Sequence, residues 1–485
     1  MSDVENPVNI TKKEKMAMIA SLLVGAFMGI TNETLLATAL PTIQHAFSIT
    51  QGEVQWLTTV FLMVNGIMIP ISAFLIERFT TRHLFLSAIL LFGVGTTIAA
   101  VAPTFYVLVI ARAVQAIGSG IMLPLLMTVL LLIIPVERRG TAMGLLGIVI
   151  AFGPAIGPTL SGFLLQFFPW RSLFITVIPL VLLTIIVALR YMRNVTYQSK
   201  PKIDILSISM SSVGFGSFLY GFGIASNEGF TSPLVIGTIG VGTIVIALFI
   251  WRQFRLKTPI LEFRVFKFPV FTLSIAITLV AIISLIGAET MLPLFVQNVL
   301  EFTPLQSGLM LLPGAIVIGI MSPITGRLFD LYGAKWLAIP GLAVVTITTF
   351  LFTRLSLDMS FAYLTTIYAI RMFGLSFAMM PVMTAALNQL PPKWYSHGSA
   401  VANTLQQVSA SIGTAILITL VAIGTKTFNP VSSIAPDMVA TYAELRGFEW
   451  AFIGSTALAM IAFLLSLFLR SPKQEKAMTK INHQA

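Results

Sequence analysis

Long apolar runs separated by short polar connectors make up most of this chain. A helix needs roughly 20 residues to cross a hydrocarbon core of about 30 Å. Fourteen runs reach that length, at 16–39, 54–76, 84–101, 105–134, 141–167, 171–191, 203–224, 233–252, 269–297, 304–328, 335–354, 360–389, 396–424 and 447–470. The pattern predicts an all-α polytopic membrane protein with fourteen transmembrane helices. With 56% hydrophobic and 10% charged residues and a mean hydropathy of +0.94, a soluble globular fold is excluded.

The net charge of +11 invites a nucleic-acid partner, but the placement of the charges argues for topology instead. If the N-terminus is cytosolic, nearly all Lys and Arg fall in cytosolic connectors and tails. Arg171, Arg354, Lys426 and Arg446 fall outside, and Arg112 and Arg371 lie within spans. That asymmetry is the positive-inside pattern, so both termini are expected in the cytosol. Lys12, Lys13 and Lys15 lead into a full-length span with no clear cleavage site, so the first helix is expected to be retained. There are no cysteines, and the four His (His45, His83, His397 and His483) are scattered over connectors and tails. Neither a metal site nor an embedded enzyme is expected, and no cofactor is called for. No P-loop occurs, so any transport must draw on an ion gradient.

Two stretches of six spans resemble each other. After span two the chain reads Ala73-Phe-Leu75-Ile-Glu77-Arg78-Phe-Thr80-Thr-Arg82, and after span ten it reads Gly326-Arg-Leu328-Phe-Asp330-Leu-Tyr-Gly333-Ala-Lys335. Arg112 matches Arg371, and Gly140-Thr-Ala-Met matches Gly398-Ser-Ala-Val, at offsets of 253 to 259. A duplicated six-helix unit with two helices inserted between the copies accounts for this, and repeats of that kind belong to transporters. The expected division is 1–194 for the first bundle, 195–262 for the linker with the inserted pair, 263–470 for the second bundle and 471–485 for a cytosolic tail.

One motif is confined to the first copy. Gly147 to Gly162 carries Gly153-Pro154 and Gly157-Pro158 inside an apolar run. Proline removes a backbone donor, so a bent helix is expected, with small residues at 153, 157 and 161 on one face for close approach of a neighbour. The matching position in the second copy reads Ser411-Ile412. Two readings stay open, a packing kink and a hinge or seal specific to one half.

Together, four motifs carry a family resemblance over essentially the whole chain: the loop after span two, Leu108-Val-Ile-Ala-Arg112-Ala-Val-Gln115-Ala-Ile-Gly118-Ser-Gly120, the Gly147–Gly162 stretch, and Asn32-Glu33-Thr34-Leu-Leu-Ala-Thr-Ala39-Leu40-Pro41. The chain resembles the fourteen-helix drug:proton antiporters of the major facilitator superfamily, the EmrB/QacA type. It departs from them at Ala73 and Glu77, where the family usually has Gly and Asp, and at Asn32, where it usually has Asp. The resemblance implies an antiporter motif at Gly153, Pro154, Gly157, Pro158 and Gly162. It also implies a cytosolic gate at Glu77, Arg78 and Arg82, to which the repeat adds Asp330.

Charges within hydrocarbon cost several kcal/mol and mark functional positions. Glu33, Arg112, Glu289 and Arg371 qualify. Glu33 and Arg112 sit at similar depth, so an ion pair between them, direct or through water, serves either proton coupling or structure. Glu289, followed by Pro293, is a second candidate for proton handling or else a solvated helix end. Arg371 reads as structural, and Glu137-Arg138-Arg139 as a topological loop. The 36 Phe and 22 Met suit an adaptable cavity. The expectation is a monomeric bacterial cell-membrane exporter that exchanges an amphiphilic small molecule for protons, or alternatively an antiporter for a specific metabolite such as an amino acid, peptide or lipid.

Overall fold

The computed structural model describes residues 10–196, 198–199, 201–429 and 435–470. Among them, 14 helices are long and apolar enough to cross a membrane. They are α1 (Lys12–Leu35), α2 (Gln51–Arg78), α3 (Thr81–Ala100), α4 (Phe105–Ile133), α5 (Arg139–Phe167), α6 (Ile178–Tyr191, whose span begins with the short helix Ser172–Ile175), α7 (Ile205–Glu228), α8 (Pro233–Arg255), α9 (Pro269–Asn298), α10 (Pro304–Tyr332), α11 (Ala334–Leu351), α12 (Phe361–Asn388), α13 (Tyr395–Lys426) and α14 (Val439–Ser466). The expected tail, 471–485, lies outside the described residues.

Several helix starts are set by side-chain oxygens that replace missing intrahelical acceptors. Thr11, Thr50 and Thr303 each close a reciprocal capping box with Glu14, Glu53 and Gln306. The first span stops at Leu35, four residues before the expected end. The chain then turns through Ala37–Ala39 into a short helix, Leu40–Phe47, with proline in its first turn. Prolines inside the spans do not end them, and α5 runs unbroken through Pro154 and Pro158. In an apolar surround, no water competes for the freed carbonyls, and the rest of the ladder holds.

The first six and last six spans pack in matching patterns. In the first set α4 lies against α2 and α3, and α1 against α4 and α5. In the second α12 lies against α10 and α11, and α9 against α12 and α13. The contacts between the sets are paired as well, α5 on α10 with α13 on α2, and α4 on α13 with α12 on α5.

The inserted helices close one seam. Helix α7 packs on α2 and α13 together, one from each set, with α8 behind it. Leu219 of α7 fills the space over Gly66, and Tyr220 stacks on Trp56 at 5.5 Å. The pair is fastened at its polar end by Arg252 and Asp204 at 3.0 Å.

The opposite seam, α5 on α10, is a close approach that rests on glycine. A Cβ at Gly144 would meet the carbonyl oxygen of Ser322 at 2.5 Å and the Cα of Pro323 at 2.9 Å. Both are backbone atoms of a packed helix and cannot swing aside. Gly144→Leu is therefore expected to destabilise the protein by about 1–3 kcal/mol, as overpacking does, and to lower its melting midpoint in detergent. Gly162→Leu, where nothing lies within 4 Å, should leave that midpoint unchanged. Equal melting of both variants with the wild type would contradict this account of the seam.

Candidate functional site

A cavity of about 250 Å³ lies between the two sets of six helices. It is lined from α1, α2, α4 and α5 on one side and from α9, α12 and α13 on the other. Its walls are mainly aliphatic, with Met127, Met379, Met380 and Met383 among them and no Phe. The expected adaptable lining is thus supplied by Met. Polar groups are few: Asn65, Ser119, Thr278, Asn403, Gln406 and Gln407, and two carboxylates, Glu33 and Glu289. Glu289 is a cavity residue, not a solvated helix end.

The two arginines stand behind those acids. Arg112 is fully buried and donates to the side-chain and backbone oxygens of Asn32, to Gln115 Oε1 at 3.0 Å and to the carbonyl of Leu57 at 3.3 Å. Its guanidinium also lies 4.1 Å from the centre of the Phe61 ring. The direct ion pair with Glu33 is not formed, because Asn32 takes the guanidinium. Arg371 is equally buried and donates to the carbonyl of Ser284 at 2.8 Å and to Thr349 Oγ1 at 3.1 Å. Each arginine is thus satisfied mostly by uncharged oxygens, although Arg112 Nη2 and Arg371 Nη1 have no hydrogen-bond partner. Among the described residues neither Glu33 nor Glu289 has an ion-pair partner. The acids therefore face the cavity unpaired, with a cation held nearby in each half.

At the end where α1 begins and α2 finishes, two carboxylates cross between the halves. Glu77, at the end of α2, accepts from Nε2 of His397 at 2.7 Å and from Ser396 at 3.4 Å, in the first turn of α13. Asp330, at the matching position of α10, accepts from the backbone N–H of Gly140 at 2.7 Å and of Thr141 at 2.9 Å, and from the Thr141 hydroxyl at 2.6 Å, in the first turn of α5. Asp330 takes exposed N–H groups of a helix N-terminus, where the helix dipole favours negative charge, whereas Glu77 meets the first turn of α13 through side chains alone.

The arginines expected to share this gate do something different. Arg78 donates to the carbonyl of Pro201 at 2.8 Å and Arg82 to that of Leu189 at 2.8 Å. Both fasten the first half and its linker, and neither reaches the second half. Arg139, read from sequence as part of a topological loop, is buried and crosses the seam to Asn388 Oδ1 at 3.1 Å and the Tyr395 hydroxyl at 3.0 Å. A signal for it was in the repeat, since Arg139 precedes Gly140 as His397 precedes Gly398.

The Gly-Pro stretch faces α1 at the level of Glu33. A Cβ at Gly157 would lie 3.0 Å from the backbone nitrogen of Leu35 and 3.1 Å from the carbonyl of Thr31. The Thr34 hydroxyl donates to the carbonyl of Gly153 at 3.3 Å. Gly153, Gly157 and Ser161 are buried on one face, as the spacing predicts. A Cβ at Gly162 would meet nothing within 4 Å.

Comparison with known proteins fits this architecture. The model of the Major Facilitator Superfamily matches residues 22–414. The chain is 46% identical to YcnB of Bacillus subtilis, an MFS-type transporter, over 95% of this chain and 96% of that protein. It is 42% identical to the lincomycin resistance protein LmrB of Listeria monocytogenes over 95% and 98% of the two chains. In three dimensions it is similar to the human organic anion transporter MFSD10, with a TM-score of 0.66 and 12% identity over 93% of this chain and 99% of that one. With its 14 candidate spans and its central cavity, this chain belongs to the Major Facilitator Superfamily of membrane transporters.

Proposed function

We propose that the protein is a proton-coupled exporter of amphiphilic compounds from the bacterial cell, working by alternating access in the cytoplasmic membrane with both termini in the cytosol. The observation that carries this reading is the pair of unpaired carboxylates, Glu33 and Glu289, on a Met-lined cavity between two matched sets of helices. An acid in hydrocarbon is costly when charged and cheap when protonated, so its proton is exchanged most readily when water reaches the cavity. An amphiphile that is drawn to the charged form is then released when the proton returns. Protons travelling inward thereby drive the compound outward.

The sets 1–194 and 263–470 would rock against each other, with 195–262 lying across one seam. Glu77 and Asp330 would hold the cytosolic end shut, each reaching the first turn of a helix of the opposite half. Relatives named for lincomycin resistance support an antibiotic or similar amphiphile over a single nutrient-like metabolite. The second reading, export of one natural metabolite, would use the same coupling and differ only in breadth.

Three outcomes follow from this mechanism. In inverted vesicles with an imposed pH gradient, Glu33→Gln should abolish proton-driven lincomycin uptake, and an efflux-deficient host expressing it should lose protection across a panel of antibiotics. Undiminished uptake by that variant, with loss in Glu289→Gln, would transfer the principal coupling role to Glu289. Glu77→Ala should slow transport at least tenfold, the equivalent of about 1.4 kcal/mol, with probe affinity nearly unchanged, because the carboxylate lies at the gate and not in the cavity. A fall in affinity with intact turnover would contradict the gate assignment. Gly157→Leu should abolish exchange while the protein still reaches the membrane, since α1 would be pushed off α5 beside Glu33. Full exchange would reduce the Gly-Pro stretch to packing.

A further inference from the structure

The repeat that relates Glu77 to Asp330 and Arg112 to Arg371 contains another pair, legible once the cavity is known. At an offset of 256 residues, Glu33-Thr34-Leu35-Leu36 falls on Glu289-Thr290-Met291-Leu292. The match is geometric as well as textual. The α1 residues that line the cavity, Ala26, Ile30 and Glu33, fall one for one on Ile282, Ile286 and Glu289 of α9, which line it from the other side. A spacing of four and then three residues keeps each trio on one helical face. The two acids are therefore equivalent positions of the two halves, turned toward one space.

Their surroundings correspond too. Arg112 is the charged group within electrostatic reach of Glu33. Arg371 and Tyr368, both on α12, are the groups within reach of Glu289. Both guanidiniums are bonded to oxygens of the helix that carries the acid, Asn32 on α1 and Ser284 on α9. Neither acid is tied up in an ion pair, so both are free to bind and release a proton. Because they share the cavity, any movement that opens it to one side exposes both acids to that side.

We propose that Glu289 is a second proton-binding carboxylate, the counterpart of Glu33 in the other half, and that each transport cycle carries two protons. This rests on the proton-coupled reading above for its transport consequence, although the binding of a proton at Glu289 does not.

Two measurements test it separately. Infrared difference titration of the purified protein in lipid needs no substrate. The wild type should show two buried carboxyl groups changing protonation, Glu289→Gln should remove one, and Glu33→Gln the other. A Glu289→Gln spectrum identical to the wild type would overturn the proposal. In proteoliposomes with the membrane potential clamped at zero, lincomycin accumulation by the wild type should reach about 100-fold for a pH difference of one unit, against about tenfold in Glu289→Gln. Equal accumulation limits in the two proteins would overturn the two-proton cycle. Wild-type flux that ignores the pH gradient would contradict proton coupling itself, and the infrared titration would still decide whether Glu289 binds a proton. If Glu289→Gln folds but carries no flux, loss of its carboxyl signal supports the second site and its retention overturns it.

Discussion

A charge held in hydrocarbon must be matched, hydrated or removed, and the way this chain meets that constraint organises its interior. Arg112 and Arg371 are matched, mostly by uncharged oxygens of helices from their own half. Glu33 and Glu289 are left unmatched but face the cavity. The permanent charges are thus fixed within the halves, and the groups that can lose their charge by taking a proton stand between them. A direct Glu33–Arg112 ion pair would have held the acid in its charged form. Asn32 occupies the guanidinium instead, and Glu33 has no ion-pair partner among the described residues.

The same division of labour is seen at the end of the bundle. Arg78 and Arg82 bond within the first half and its linker, whereas Glu77 and Asp330 reach across to the first turns of α13 and α5. A carboxylate on a helix N-terminus is held by several N–H and O–H donors at once, yet each bond is short-ranged and lost with a small separation. Such contacts suit the gate proposed above, a latch that would hold firmly and release completely. The glycine-mediated approach of α5 to α10 lies next to it, with the Gly-Pro stretch further along α5 holding α1. Helix α5 therefore touches the latch, the seam and the helix bearing Glu33.

Much of this was legible in the sequence. Fourteen spans could be counted because length in hydrocarbon is a one-dimensional constraint, and the repeat could be seen because duplication preserves spacing. Glu33 and Glu289 stood out because an acid in an apolar run has few innocent explanations. What was hidden depends on which faces meet. Nothing along the chain says that Glu77 faces His397, and the repeat, which sets Arg139 opposite His397, does not say that Arg139 is buried against Asn388 and Tyr395. The amides Asn403, Gln406 and Gln407 carry no charge to draw attention to them. The early end of α1 was missed because the apolar run continues through a turn and into a second, short helix that does not cross the membrane.

If the protein works by the rocking motion proposed above, its two halves separate at the end latched by Glu77 and Asp330 when the transport cycle proceeds. The chain has no native cysteine, so spin labels can be placed at the exposed positions His83 and Trp336, one beside each latch, without removing any residue first. Pulsed electron resonance of this doubly labelled protein in lipid nanodiscs measures the distance between them as pH and lincomycin are varied. Rocking halves should give a second, longer distance whose population grows as the acids change protonation and substrate is added. A single distance, unchanged across all those conditions in a protein that still transports, would contradict it.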